Sequence, residues 1–365
     1  MHPADPFLDR KILGGQFHIT KKIGTGGMGS VYQALQVDMN RLVAIKILHP
    51  KLAGRRDLAS RFRREARAMS QLNHPNTVKV FMYGQLEEGG VGSGSLYIVM
   101  EYLEGRNLNR AVKREGPFAL DRAATILIQV CGALQEAHSK GIVHRDLKPE
   151  NIFLSRQGEL TDYPKVLDFG LAKVTERQMR PGSIQLTQEG MVFGTPEFMS
   201  PEQAQGKTLD SRSDIYSLAV ILYEALTGKL PFEAKTPMEY IQKHVVEPPI
   251  SINQRVEGLA FPPGLWPALE RALAKSRDAR FQSAMEFAAA LRPFAGPGPA
   301  VDAIFEMAPP LGPMSGRPSE PESAAPPDAP AAAPRSWAVV LAVVAVVFLL
   351  VGAGIGVVAV RLLAK

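Results

Sequence analysis

The chain has 365 residues, 45% of them hydrophobic and 21% charged, with a formal net charge of +6. That length holds one large domain, or two ordinary ones, with appendages. Its single cysteine, Cys131, excludes an intrachain disulfide and a thiolate metal cluster. Much of the positive excess is local, in Arg55, Arg56, Arg61, Arg63, Arg64 and Arg67. A solvated helix face accounts for it, and no aromatic-interleaved basic groove or zinc spacing points to nucleic acid.

In chain order, residues 1–16 read as a polar N-terminal extension without the apolar stretch of a secretory signal. From Phe17 to about Leu103, short apolar runs alternate with glycine-containing turns, and 17–23, 42–48 and 96–102 read as strands. One helix interrupts them at 57–72, where Leu58, Phe62, Met69 and Leu72 recur at helical spacing. Residues 87–95 are rich in Gly and Ser and read as an exposed hairpin tip. Beyond Asn107 helical patterns dominate, among them 121–139 and 213–227, with 283–291 as the last. The fold class is therefore α+β and two-lobed: a β-rich lobe at 17–103, then an α-rich lobe at 104–294.

Residues 295–335 are rich in Pro and Ala and too poor in apolar bulk to bury much surface, so they read as a disordered linker. The segment 336–361 reads as one transmembrane helix, with 362–365 as a short tail. Its centre, Trp337 to Val360, carries no charge over 24 residues. As a helix that is about 36 Å, against a hydrocarbon core of about 30 Å. Gly352 and Gly356 have the small-xxx-small spacing that lets two such helices pair, so a homodimer is one expectation, although glycine is common in membrane helices anyway.

The first chemical motif is Ile23-Gly24-Thr25-Gly26-Gly27-Met28-Gly29-Ser30-Val31. Glycines at its second, fourth and seventh positions let backbone N–H groups approach phosphate oxygens. A strand-like run follows it, so it reads as a β-hairpin rather than the strand-to-helix turn of a dinucleotide fold. Val43-Ala44-Ile45-Lys46 occupies the next strand, and a lysine on that otherwise apolar face calls for an anion. Glu65, three residues after Phe62 and four before Met69, lies on the helix's apolar stripe and is the expected partner.

The most informative segment is His144-Arg145-Asp146-Leu147-Lys148-Pro149-Glu150-Asn151. One loop there supplies a carboxylate to orient a hydroxyl acceptor, a cation for a γ-phosphate and an amide oxygen for magnesium. Asp168-Phe169-Gly170 follows an apolar run and adds a second hard oxygen ligand.

On these motifs the chain resembles the eukaryotic-like (Hanks-type) bacterial serine/threonine protein kinases, over roughly 17–291. The resemblance implies the two-lobed kinase fold with ATP and Mg²⁺ (or Mn²⁺) in the cleft. It implies Met100 as gatekeeper, Glu101 and Leu103 offering backbone groups to adenine, and Phe153 beneath the ring. Asp146 would be the catalytic base, Lys148 the γ-phosphate cation, Lys46 and Glu65 the phosphate-holding pair, and Asn151 and Asp168 the metal ligands. Met69, His144 and Phe169 match an internal spine, and Glu202 of Ser200-Pro201-Glu202 should pair with Arg280. Asp214, on an apolar helix face, should brace the catalytic loop.

Lys148 and Gly194-Thr195-Pro196-Glu197 imply Ser/Thr acceptors on proteins. Arg145, Thr187 and Thr195 are the regulatory candidates: Thr187 as an autophosphorylation site received by Arg145, Thr195 as a contact of Asp146 and Lys148. A cytoplasmic kinase domain on a single-pass inner-membrane helix is the expected localisation. The competing class is a membrane-anchored pseudokinase scaffold; Lys46, Asp146, Asn151 and Asp168 discriminate, and all four are present.

Overall fold

The computed structural model describes residues 5–26, 29–48, 60, 63, 66–67, 69–87, 92–158, 160–169 and 195–307. These lie within one unit, residues 1–311.

The N-terminal part is an antiparallel sheet of six strands: β1 (Lys11–Ile12), β2 (Phe17–Gly26), β3 (Gly29–Gln36), β4 (Arg41–Leu48), β5 (Val80–Gln85) and β6 (Leu96–Glu101), in the order β1-β2-β3-β4-β6-β5. Side-chain alternation gives the sheet two different faces. Val43, Ile45 and Ile47 of β4, with Tyr97 and Val99 of β6, enter one buried cluster together with Phe17, Ile19 and Tyr32. Leu48, Leu96 and Ile98 point the other way, into the main core. Of the expected helix at 57–72, Ser60, Arg63, Ala66, Arg67 and Met69 are helical. Ser60, Arg63 and Arg67 are exposed, whereas Ala66 and Met69 are buried, as an amphipathic helix requires. Leu86 N–H donates to the Ser95 carbonyl at 2.9 Å, closing the expected β5–β6 hairpin.

A second, three-stranded sheet follows: β7 (Gly105–Asn107), β8 (Ile152–Gln157) and β9 (Leu160–Val166). The rest is helical: α1 (Leu108–Glu115), α2 (Leu120–Ser139), α3 (Pro201–Ala204), α4 (Ser211–Thr227), α5 (Pro237–Val246), α6 (Ile252–Arg255), α7 (Leu265–Ala272), α8 (Ala284–Leu291) and α9 (Pro299–Met307). Helices α2 and α4 form the centre of the lobe and are buried over most of their length. Asp210 caps α4 by accepting the Arg212 N–H, and Gly228 ends it in the left-handed conformation that glycine adopts without cost.

Two expected boundaries move. Residues 5–16, placed in the N-terminal extension on sequence, pack on the sheet: Asp9 N–H donates to the Ile19 carbonyl, Lys11 and Ile12 pair with β2, and Phe7 and Ile12 are buried in the outer cluster. The few apolar residues of this stretch are spaced to cover a sheet edge. The α-rich lobe does not end at 294 either. Residues 299–307, assigned to the linker on composition, form α9, and Val301 and Ile304 pack into the main core beside α2. Val301, Ile304 and Phe305 stand at i, i+3 and i+4, a stripe that a proline and alanine count conceals. Among the described residues no helix is long and apolar enough to cross a membrane. The expected span at 336–361, with Gly352 and Gly356, lies outside them.

Candidate active site

The register of the first sheet builds one wall of the cleft. Gly24 pairs with Val31, Val31 with Lys46 and Lys46 with Ile98, while Ala44 pairs with Met100. Residues opposite one another share a face, as do residues two apart on a strand, so Val31, Ala44, Lys46, Ile98 and Met100 line the same side. Ile23, Thr25 and Ser30 belong to the same hairpin, with Thr25 opposite Ser30; Gly27 and Met28 at its tip lie outside the described residues.

The motif glycines are not equivalent. A Cβ at Gly29 would stand 2.1 Å from the Ile47 carbonyl oxygen, so only glycine fits the β3–β4 packing there. A Cβ at Gly26 would meet nothing within 4 Å, and one at Gly24 only an ordinary contact with Val31. The need for glycine at those two positions is not internal packing; backbone open to a ligand explains it.

The loop between α2 and β8 carries Asp146. Arg145 enters it with a φ of 66°, a left-handed conformation that costs a non-glycine residue free energy and persists only where surroundings enforce it. Asp214 provides the enforcement: its two carboxylate oxygens accept the backbone N–H groups of His144 (2.8 Å) and Arg145 (3.0 Å). His138 Nε2 stands 2.8 Å from the same carboxylate. Burial alone raises the pKa of Asp214, but His138 and the backbone donors outweigh it and hold the group low. The bracing role read for Asp214 is thus visible atom by atom.

Within the loop, Lys148 Nζ lies 3.1 Å from Asp146 Oδ2. Asn151 Nδ2 donates to the Asp146 carbonyl at 2.7 Å, which leaves its Oδ1 as the acceptor of the amide. The β8–β9 hairpin then brings the second half of the site alongside. Asn151 precedes β8 and Asp168 follows β9, Ile152 pairs with Val166, and Leu167 N–H donates to the Asn151 carbonyl at 2.8 Å. Asp168 has a φ of 52°, a second strained backbone at the site. Lys46 Nζ reaches its Oδ1 at 2.8 Å. Burial raises the pKa of Asp168, yet Lys46, with His144 and Lys148, keeps it below the ordinary carboxylate range. Lys46 therefore pairs with Asp168 here; Glu65, its expected partner, lies outside the described residues.

The His144 and Phe169 rings stand 4.8 Å apart, and Met69 and Phe169 lie in the main core, consistent with the expected spine. Phe153, on β8, pairs with Lys165, whose ammonium holds the Glu101 carboxylate at 2.7 Å. That carboxylate also accepts the Lys79 N–H, and the Glu101 N–H donates back to the Lys79 carbonyl at 3.0 Å, so of the polar groups of Glu101 the backbone carbonyl is the one that could serve a ligand. Leu103 follows β6 as expected of a hinge.

Thr195, Asp146 and Lys148 line one small cavity with Arg145 and Gln203. Glu202 and Arg280 pair at 2.8 and 2.9 Å, almost wholly buried. Thr187 lies outside the described residues.

Three contributors escaped the sequence reading. Ser200 heads the Ser200-Pro201-Glu202 element, and its hydroxyl accepts the Gln203 N–H while Gln203 Oε1 accepts the Ser200 N–H. Gln203 Nε2 then donates to the Arg145 carbonyl at 2.6 Å, joining α3 to the catalytic loop. The Ser-x-x-Gln spacing is a capping-box signature and was the available signal. The third is His244 on α5. The Glu197 carbonyl can only accept, so His244 Nε2 donates to it (3.0 Å) and Nδ1 accepts from the Tyr216 hydroxyl (2.9 Å). No motif announces it.

A two-lobed fold with a glycine-rich hairpin, a strand lysine and paired loop acids across a cleft defines a nucleotide-dependent phosphotransferase scaffold. The protein kinase domain model matches residues 17–266, and the chain belongs to the protein kinase family. It is 41% identical over 282 residues to the serine/threonine-protein kinase pkn3 of Myxococcus xanthus, covering 77% of this chain and 50% of that protein. It is 40% identical over 280 residues to the serine/threonine-protein kinase PknB of Mycobacterium leprae, covering 76% of this chain and 43% of that protein. The chain thus spans half or less of the length of these relatives. Among solved structures, the Mycobacterium tuberculosis PknI kinase domain superposes with a TM-score of 0.58 at 26% identity, covering 77% of this chain and 96% of that one.

Proposed function

We propose that the protein is a serine/threonine protein kinase that transfers the γ-phosphate of MgATP to Ser and Thr hydroxyls of proteins, its own activation segment included. The observation that carries the reading is the meeting of Lys46 and Asp168 beside Asp146, Lys148 and Asn151. A pseudokinase scaffold would have no need to hold all five polar groups together.

The donor set fits the implied metal. Asn151 Oδ1 and the Asp168 carboxylate are two hard oxygens, and magnesium commonly takes one or two protein ligands with phosphates and water. Among the described residues no all-protein cage of three or more metal-ligating side chains forms. Manganese fits the same donors. When bound, MgATP supplies the phosphoryl group and the divalent charge that offsets its oxygens.

The protein's part is positioning. The Asp146 carboxylate is set to accept the proton of the incoming hydroxyl and to orient that oxygen. Lys148, beside it, is placed to neutralise charge on the transferring group. Lys46 would hold the α- and β-phosphates, the hairpin backbone at Gly24, Gly26 and Gly29 would cover them, and Ala44, Met100, Phe153 and the backbone of Glu101 and Leu103 would enclose the adenine. The segment Thr195 to Glu202, fixed to the loop through Gln203 and to α5 through His244, presents the acceptor. Small-molecule kinases of similar fold lack that segment, which favours a protein substrate. The apolar stretch 336–361 favours attachment to the inner membrane with the kinase domain on the ATP-containing side, and Gly352 and Gly356 favour a homodimer. Labelling of a generic Ser/Thr protein by γ-labelled ATP with Mg²⁺, absent in Asp146→Asn, tests the activity.

A further inference from the structure

Asp5 lies twelve residues before the first residue matched by the kinase family model, yet it touches the glycine-rich hairpin. Its Oδ1 accepts the Phe7 N–H at 3.1 Å, which fixes the direction of the carboxylate. Both oxygens stand 3.1 Å from the Tyr32 hydroxyl, and Oδ2 is 2.9 Å from Lys22 Nζ. The Phe7 ring packs 5.5 Å from that of Tyr32, and Lys22 Nζ lies 5.9 Å over the same ring.

Lys22 and Tyr32 are cross-strand partners on β2 and β3. The register shifts immediately beyond them: the next pair is Gly24 with Val31, and Ile23 is the extra residue. A bulge of this kind bends and twists a strand, so the pair that Asp5 grips is the last regular one before the hairpin becomes the phosphate cradle. Tyr32 is 2% exposed and belongs to the outer cluster, so its hydroxyl depends on a partner inside the protein. Val31, the neighbour on the same strand, faces the cleft. The contact therefore works from the back of the hairpin, out of reach of the nucleotide.

We propose that Asp5 is a positioning residue for ATP binding: through Tyr32 and Lys22 it holds the base of the glycine-rich hairpin so that the backbone beyond the bulge is presented to the phosphates. The proposal rests on the reading of that hairpin as the phosphate cradle. A charge-assisted, three-way contact is lost in Asp5→Ala, and the Tyr32 hydroxyl keeps Ser30 but no carboxylate to tie it to Lys22. The hairpin then samples open arrangements that bind ATP less well, while Asp146 and Lys148 are undisturbed.

The test is steady-state kinetics of the full chain, with thermal unfolding and binding of a fluorescent ATP analogue measured alongside. Asp5→Ala is expected to raise KM for ATP on the order of three- to tenfold, with kcat and KM for the protein substrate within about twofold. Asp5→Glu should recover most of the loss. Tyr32→Phe should weaken ATP binding similarly, and the double variant Asp5→Ala/Tyr32→Phe no further than the worse single, since both remove one contact. An unchanged KM for ATP in Asp5→Ala overturns the proposal. So does a fall in kcat matched by a lower unfolding temperature, which would mean general loosening of the sheet. Lys46→Met separates the two readings: if it still labels protein, the site assignment itself fails, whereas an inert Lys46→Met beside an unaffected Asp5→Ala removes only the role of Asp5.

Discussion

Lys46 Nζ and Asp168 Oδ1 stand 2.8 Å apart, joining the strand cation to the acid that follows β9. Each desolvated charge needs the other, and burial of Asp168 is offset chiefly by Lys46. Lys46→Met is expected to abolish phosphate transfer, because it removes the phosphate-holding cation and leaves Asp168 with only His144 and Lys148 nearby. Asp146→Asn should reduce transfer by on the order of 10²- to 10⁴-fold by removing the proton acceptor. Both should retain cooperative unfolding. Undiminished labelling from γ-labelled ATP by either variant would remove the assignment.

The Glu202–Arg280 pair concerns stability. All five guanidinium donors of Arg280 are engaged, with Glu202 and with the carbonyls of Ala274, Arg212 and Lys275. Ser213 donates to the same carboxylate. Removing one partner of a buried pair strands the other charge and costs about 3–5 kcal/mol, so Arg280→Met should lose that much in denaturant unfolding. Glu202→Met/Arg280→Met should recover a substantial part. A double variant no better than Arg280→Met would show that the carbonyl contacts, rather than the ion pair, dominate.

The architecture and the reacting groups were legible in the sequence because each is local. Strand runs such as 42–48, the helix 121–139 and the loop from His144 to Asn151 are encoded by their own spacing. What escaped depends on contacts between distant segments. The Gln203 contact with the Arg145 carbonyl, the Asp5 contact with Tyr32 and the packing of Val301 and Ile304 on α2 pair residues far apart in the chain. The link between Lys46 and its anion shows the same limit. The lysine's need was evident from its strand, but Asp168 could be recognised as a partner only once β8 and β9 had carried it to the cleft.

A buried and a half-buried group should give stability opposite pH dependences. His244 is held down to about 3 by burial, below an unfolded value of 6.5. The unfolded chain therefore binds the extra proton, and this contribution is lost as pH falls from about 6.5 toward 3. Glu224 is pushed up to about 7, by burial and then by Glu150 and Glu197, from 4.5. Its folded form binds the extra proton, so stability is lost as pH rises from about 4.5 through 7. Glu224→Gln should match wild type near pH 4.5 and gain on it above, by roughly 2–3 kcal/mol past pH 7. Paired unfolding curves across that range check the sign; a constant difference would mean Glu224 does not titrate there.

The proposed membrane span makes a separate prediction. Deleting 336–365 should leave a soluble, active kinase, since every described site residue precedes it. Full-length protein should sediment with membranes, and the truncated form should remain in the supernatant. A truncated protein that still sediments would place the attachment elsewhere.

The last prediction concerns Arg145. Its backbone is clamped by Asp214 and Gln203, but its Nε is buried and has no hydrogen-bond partner among the described residues. A guanidinium on a clamped backbone, with an unused Nε–H, is suited to receive an anion at the edge of the catalytic loop. Thr187, between Asp168 and Glu202 in sequence, is the proposed source. Phosphorylation would add about −1.5 to −2 charges and allow one to three charge-assisted bonds to Arg145. Activity should rise several-fold on autophosphorylation, Thr187→Ala should lower it, and Arg145→Ala should make the enzyme indifferent to the state of Thr187. Mass spectrometry of active protein against Asp146→Asn locates the phosphate, and kinetics of the single and double variants measure the coupling. A Thr187→Ala enzyme with full activity, or an active protein unmodified at Thr187, would assign the anion at Arg145 to another residue.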